Sequence, residues 1–210
     1  MKKQGSLVVV SGFAGTGKGT VMKELLSRYD SYALSISATT RNPRPGEVDG
    51  REYFFKTKEE FEQMISEGAF VEYACYVGNY YGTPKQYVEE QLLAGKDVIL
   101  EIEIQGALKI KEQFPEALLL FIAPPSAEVL KQRLTDRGTE TQEVIDMRLA
   151  RAVEESQGMD NYDYLAVNDD LDECVETVHH MIQCEGWKMS RRQADVEELR
   201  RQISRFSKGE

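Results

Sequence analysis

The sequence predicts an α/β fold of three layers, a parallel sheet with helices packed on both faces. Three observations predict it. Short unbroken apolar runs alternate with helical segments, a glycine-rich turn carrying one lysine joins the first run to the first helix, and a single stretch rich in proline, glycine and tyrosine interrupts the alternation. An apolar run without polar alternation is what a strand covered on both faces requires.

Leu7-Val8-Val9-Val10 is the first such run, followed by the glycine-rich turn and a helix over 21–29. Asp97-Val98-Ile99-Leu100 and Ala117-Leu118-Leu119-Leu120-Phe121-Ile122 are the next strands, with helices after them over 107–113 and 127–136. Tyr164-Leu165-Ala166-Val167 is the last strand. These segments make a core of residues 1–34, 96–125 and 158–187. Residues 35–95 form an inserted lobe of another texture, with Pro43, Pro45, Gly46, Gly50, Gly78 and Gly82 and many aromatics. Thr57-Lys58-Glu59-Glu60 is a capping box that opens a helix. Thr83-Pro84 opens another, with Pro84 as its first helical residue. Short strands are expected over 53–55 and 70–76.

Residues 126–157 read as a helical lid carrying Arg133, Arg137, Arg148 and Arg151. The remainder, 188–210, is a basic helical extension with Val196, Leu199 and Ile203 on one stripe. A terminal helix docked on the core or on a second subunit, as in a homo-oligomer, accounts for it; the stripe is too narrow for membrane binding.

The 210 residues suffice for one sizeable domain with a buried core, and 41% apolar with 30% charged residues is an ordinary globular balance. No apolar run approaches the roughly 20 residues that span a bilayer. The N-terminus lacks the long apolar stretch of a signal peptide, so a cytoplasmic protein is expected. Cys75, Cys174 and Cys184 are scattered, without metal-ligand spacing, and read as reduced structural thiols. A formal net charge of -10 argues against non-specific nucleic-acid binding. An acidic chain can still hold anionic nucleotides where its arginines converge.

Gly12-Phe13-Ala14-Gly15-Thr16-Gly17-Lys18-Gly19-Thr20 lies between a buried strand and a helix. Glycines let backbone N–H groups turn inward around crowded phosphate oxygens, and the helix N-terminus adds positive potential. Lys18 supplies a charge for the β and γ phosphates. This is the phosphate loop of a P-loop NTPase fold, and ATP is the expected ligand. Gly19 stands where Ser or Thr usually follows the lysine, and Thr20 comes next, so the loop pattern alone does not fix which hydroxyl meets Mg2+. In the lobe, Arg41 and Arg44 lie three apart on a chain stiffened by Pro43 and Pro45, and two rigid guanidinium forks suit a terminal phosphate.

With these residues in place, several ordered motifs resemble the guanylate kinase family. They are Ser37-Ala38-Thr39-Thr40-Arg41-Asn42-Pro43-Arg44-Pro45-Gly46-Glu47, Gly50-Arg51-Glu52-Tyr53, Phe70-Val71-Glu72-Tyr73 and Gly78-Asn79-Tyr80-Tyr81-Gly82-Thr83. Glu101-Ile102-Glu103-Ile104-Gln105-Gly106, the run from Arg133 through Arg137-Gly138-Thr139-Glu140, and Asn168-Asp169-Asp170-Leu171-Asp172 complete the set. The resemblance spans about residues 5–185. It implies that the inserted lobe binds GMP and that the γ-phosphoryl group of ATP moves to it, with Mg2+ as cofactor. It further implies that Arg41, Arg44, Tyr53 and Tyr81 hold the GMP phosphate, that Glu72 accepts from the guanine N1–H and 2-amino group, and that Ser37 and Thr83 meet the other edge of the base. Adenine lacks the 2-amino donor and leaves a carboxylate unpaired, so such a pocket discriminates strongly.

Lys18, Arg41, Arg133, Arg137 and Arg148 are the expected catalytic residues, and Asn168 is expected near the adenine. Thr20 and Glu101 are the candidates for the metal, through water in the case of the carboxylate. Glu103 is the candidate for guanine. Where many relatives carry aspartate at one or both places, this chain has Glu101 and Glu103, and two roles, guanine contact and Mg2+ contact, divide between them. Phe13-Ala14 replaces the Pro-Ser common in the family loop. A kinase for another monophosphate and a non-catalytic guanylate kinase-like binding module are the competing readings. The intact phosphate loop speaks against the second, and Glu72 with Ser37 and Thr83 against the first.

Overall fold

A computed structural model describes residues 5–76, 78–136 and 141–208. Strand β1 (Leu7–Gly12) runs into the phosphate loop and helix α1 (Lys18–Arg28). The helix begins within the loop, three residues earlier than the apolar periodicity predicts, because its first turn carries loop residues rather than core residues. Strand β2 (Tyr32–Leu34) returns to the sheet. The lobe then holds β3 (Ala38–Thr39), β4 (Phe54–Phe55), α2 (Lys58–Ser66), β5 (Phe70–Tyr76), β6 (Asn79–Pro84) and α3 (Lys85–Leu93). Beyond it come β7 (Asp97–Glu101), α4 (Ile104–Gln113), β8 (Leu118–Ala123), α5 (Ala127–Asp136) and α6 (Gln142–Ser156). The described chain closes with β9 (Tyr164–Val167), α7 (Leu171–Glu185) and α8 (Gln193–Ser204).

The main sheet is parallel, in the order β2-β7-β1-β8-β9. Successive side chains of a strand point to opposite faces, so β1 divides its apolar residues between two cores. Val8 and Val10 pack with Val21, Leu25, Leu120 and Val175 beneath α1 and α7. Leu7 and Val9 pack with Val88, Leu100, Ala107 and Ile110 beneath α3 and α4. Helices on both faces explain why β1, β7 and β8 read as unbroken apolar runs. Truncating a fully buried member such as Leu119 or Leu120 to alanine costs about 2–5 kcal/mol.

The lobe is a second sheet in the order β4-β3-β6-β5, with β3 antiparallel to β6 and β6 antiparallel to β5. Its own core forms where α2 lays Phe61 between the rings of Phe70 and Tyr80, with ring centroids 4.4 and 5.2 Å away. The capping box is present: the Thr57 hydroxyl accepts from the Glu60 N–H at 3.1 Å and the Glu60 carboxylate from the Thr57 N–H at 2.8 Å. Pro84 departs from expectation. It is the cap of α3 and not its first helical residue, with φ -63 and ψ 125, and it ends β6 opposite Phe70. The fixed φ of proline suits extended and helical backbone alike, and here pairing with β5 takes it.

Candidate active site

The carboxyl ends of β1, β7 and β9 bring three segments together at one edge of the main sheet, where ligands of open α/β sheets bind. The first is the phosphate loop. Gly15 and Gly17 adopt φ of 93 and 84, left-handed values that a side chain would oppose. A Cβ on Gly12 would stand 2.4 Å from the Ile122 carbonyl oxygen, and one on Gly17 2.6 Å from Asn168 Nδ2. Helix α1 starts at Lys18 without a side-chain cap and without an acidic residue in its first turn, which leaves its N–H groups and positive end to the loop.

The loop is held from behind. Thr16 is buried, its hydroxyl donates to the Phe13 carbonyl at 3.0 Å, and its own carbonyl accepts from Asn168 Nδ2 at 2.7 Å and from Arg133 Nη1 at 3.4 Å. Asn168, just past β9, is therefore turned toward the loop backbone, and Arg133 of α5 reaches the same oxygen. Phe13 ties the loop to its surroundings. It packs edge-on against Phe121 with centroids 4.9 Å apart, and it also joins the apolar cluster of Leu130, Leu134, Ile145 and Ala152 from α5 and α6.

Glu101, at the end of β7 and paired in register with Val10, is exposed beside the loop; a Cβ on Gly19 would lie 3.9 Å from its Oε1. Thr20 is also exposed, in the first turn of α1. Glu103, two residues beyond Glu101, forms an ion pair with Arg151 of α6, which also holds Glu155 at 2.9 Å. Arg151 and Glu155 stand four residues apart on one helix, the spacing of an ordinary solvated ion pair. The Glu155 pair fits that, and the contact with Glu103, 48 residues away, is what spacing could not reveal. Arg148 is half-buried one turn earlier on α6. Arg137 lies outside the described residues, as do Gly138, Thr139 and Glu140 of its motif.

The lobe carries the second constellation. Glu72 on β5 and Thr83 on β6 are paired across the antiparallel strands, and the buried Thr83 hydroxyl donates to Glu72 Oε1 at 2.9 Å. Burial raises the Glu72 pKa above the ordinary carboxylate range, against the opposing pull of the Thr83 bond and of Lys109 on α4. Ser37 is half-buried just before β3, its carbonyl accepting from the Phe54 N–H at 2.9 Å.

Arg41 lies over aromatic rings, 5.3 Å from the Tyr53 centroid and 5.8 Å from that of Phe55. Tyr81 meets Tyr53 edge-on at 6.1 Å. Both arms of the Arg41 guanidinium donate to Glu47, each at 2.9 Å, and the same carboxylate accepts the Arg44 N–H at 2.6 Å. These contacts, Arg41 first, hold the Glu47 pKa below its ordinary value, and Glu47 in turn raises that of Arg41. The Arg44 side chain is exposed. Sequence reasoning gives Glu47 and Lys109 no role. Glu47 stands three residues after Arg44 in the same turn-rich stretch, and that spacing is the signal that could have found it.

The arrangement offers a phosphate cradle with a lysine at its helix end, and a carboxylate–hydroxyl pair sharing a small sheet with an arginine on an aromatic floor. Comparison with known proteins agrees with it. The family model described as Guanylate kinase matches residues 4–185. The chain is 53% identical over 191 residues to a guanylate kinase of Oceanobacillus iheyensis, covering 91% of this chain and 93% of that one. It is 50% identical over 192 residues to a guanylate kinase of Bacillus subtilis, covering 91% and 94%. The crystal structure of guanylate kinase from Anaplasma phagocytophilum superposes with a TM-score of 0.70 at 34% identity, covering 90% of each chain.

Proposed function

The chain belongs to the guanylate kinase family, and from that premise we propose that it transfers the γ-phosphoryl group of ATP to GMP, giving ADP and GDP. The observation that carries the choice of acceptor is the Glu72–Thr83 pair. A carboxylate accepts from the two adjacent donors of guanine, N1–H and the 2-amino group, and the hydroxyl serves the neighbouring edge. Ser37 completes that edge.

Transfer between two nucleotides needs alignment, charge neutralisation and exclusion of water more than covalent help. In this reading Arg41, Arg44, Tyr53 and Tyr81 seat the GMP phosphate, and the aromatic floor fixes the Arg41 fork. The loop from Gly12 to Thr20 wraps the phosphates of ATP, with Lys18 on the β and γ groups. Asn168 keeps the loop in shape from its place near the adenine. Arg133, Arg148 and Arg137 of the lid stabilise charge on the group in flight, and Arg41 touches both substrates. GMP phosphate is itself an anionic nucleophile, so no general base is required.

Mg2+ fits this donor set. It takes oxygen ligands, keeps several waters, and is carried largely by substrate phosphates in kinases. Thr20 and Glu101 offer one hydroxyl and one carboxylate beside the loop, and among the described residues no group of three or more His, Cys, Asp or Glu gathers into a cage of its own. When bound, the ion neutralises charge on the β and γ phosphates. Glu101 is the residue assigned to its water shell, and Glu103 to guanine.

Among the described residues no helix is long and apolar enough to cross a membrane. A coupled assay of ADP release with GMP, AMP, CMP and UMP in turn tests the reading. GMP is expected to be the preferred acceptor by several orders of magnitude, and a preference for AMP overturns it.

A further inference from the structure

We propose that Arg151 is a positioning residue for the acceptor base, one that orients the long side chain of Glu103 so that a carboxylate oxygen is left for guanine. The inference rests on the reading above, in which Glu103 contacts guanine. Glu103 stands at the N-cap of α4, with extended backbone at φ -79 and ψ 160, and its carboxylate caps no N–H group of that helix. Its side chain is 68% exposed. Helix α4 therefore does not fix it, and a glutamate has one more rotating bond to order than an aspartate.

Arg151 supplies the fixed point. Its Nη2 donates to Glu103 Oε2, and its Nε donates to Glu155 Oε1 at 2.9 Å, one turn further along α6. The Glu155 side chain is only 19% exposed, so the guanidinium is braced from its own helix while its far end meets Glu103. The end of α6 is itself anchored to the start of α4. A Cβ on Gly158 would stand 2.8 Å from Ile104 Cγ2, and the buried Ile104 packs with Met159 and Tyr162. Arg151 lies about two turns before this anchor, on the end of the lid that touches the core. The pair with Glu103 is end-on. Oε2 accepts from Arg151, and Oε1 is left to accept from the guanine 2-amino group. An exposed pair of this kind adds little to folding, so its effect falls on binding. Ordering a long side chain when a ligand arrives weakens affinity, and a carboxylate held beforehand avoids that loss. Arg148, three residues earlier on α6, is the lid arginine assigned to the phosphoryl group in flight. One helix thus serves that group directly and, through Glu103, the base.

Initial-rate kinetics on the full chain, with GMP and ATP varied in turn, test this. Arg151→Ala is expected to raise the KM for GMP about three- to tenfold, the effect of ordering one long side chain on binding, with kcat, the KM for ATP and the melting temperature nearly unchanged. Arg151→Lys keeps the charge but not the planar fork, and is expected to behave like Arg151→Ala. Glu103→Asp is one methylene shorter and gives up the contact, so adding Arg151→Ala to it is expected to move the KM for GMP by no more than about twofold. Additive effects in that cycle, an unmoved KM for GMP in Arg151→Ala, or full affinity in Arg151→Lys overturns the proposal. A rise in the KM for ATP alone also overturns it, since Glu103 then serves the metal. A wild-type chain that fails to phosphorylate GMP overturns the underlying reading, whereas normal wild-type turnover with unmoved Arg151 variants overturns the positioning role alone.

Discussion

Glu47 grips both arms of Arg41 while also accepting the backbone N–H of Arg44, so one carboxylate fixes two residues of the same loop. Bidentate carboxylate–guanidinium contact is directional as well as attractive. Glu47→Gln keeps the size but loses one acceptor and the charge. The expected result is a KM for GMP raised about tenfold, the effect of one charge-assisted hydrogen bond, with kcat changed much less. Initial-rate kinetics at saturating ATP check this, and an unchanged or lower KM speaks against it.

Glu72→Gln retains a hydrogen-bond acceptor for Thr83 while adding a donor that meets the guanine N1–H head-on. Its kcat/KM for GMP is expected to fall about a hundredfold or more, since an unpaired buried donor costs several kilocalories. Comparison of GMP with AMP locates the loss, because turnover of AMP should change far less.

The raised pKa of Glu72 also fixes a pH trend. Burial disfavours the charged form, so the folded protein holds this proton to higher pH than the unfolded chain does. The group therefore favours folding below its ordinary pKa and loses that contribution as pH rises through its folded value. The Glu72→Gln variant, which has no charge to bury, is expected to gain in Tm relative to the wild type between acid and neutral pH. In the role proposed for Glu72 the ionised form is the one that accepts from guanine, so the wild-type KM for GMP is expected to improve over the same interval. Thermal melts and kinetics at matched pH read both.

Lys18→Ala is expected to lower kcat by about 10²–10³-fold, the range for loss of one preorganised charge contact in the transition state, with an unchanged melting curve. A variant of normal turnover excludes Lys18 from the reaction.

Asn168→Ala removes the donor that holds the Thr16 carbonyl within the fold. That oxygen keeps only its longer bond from Arg133, and losing the shorter one costs about 1 kcal/mol, read as a lower midpoint in urea. The loop also loses its brace, so the KM for ATP is expected to rise more than that for GMP.

Much of this architecture is legible in the chain because its signals are local. The runs that became β1, β7 and β8 are apolar without interruption because both their faces are covered, and the loop from Gly12 to Thr20 is read from spacing alone. Strand β6 and the two-residue β3 leave no such signal in the sequence, for their residues pair across the lobe and carry no apolar run of their own. Helix α4 starts at Ile104 rather than three residues later, because Glu103 precedes it without forming a side-chain cap. The Arg151–Glu103 and Arg133–Thr16 contacts join residues 48 and 117 apart, and only the folded chain brings them together.

The chain contains one tryptophan, Trp187, with Arg192 lying 5.0 Å over its ring. It borders a groove at the start of β1 with Gly5 and Leu7, the opposite end of that strand from the phosphate loop. Tryptophan emission from this protein thus has a single, water-exposed source, at the opposite end of β1 from the phosphate loop. Quenching or a spectral shift reports the C-terminal segment, whereas titration with ATP should leave the signal almost still.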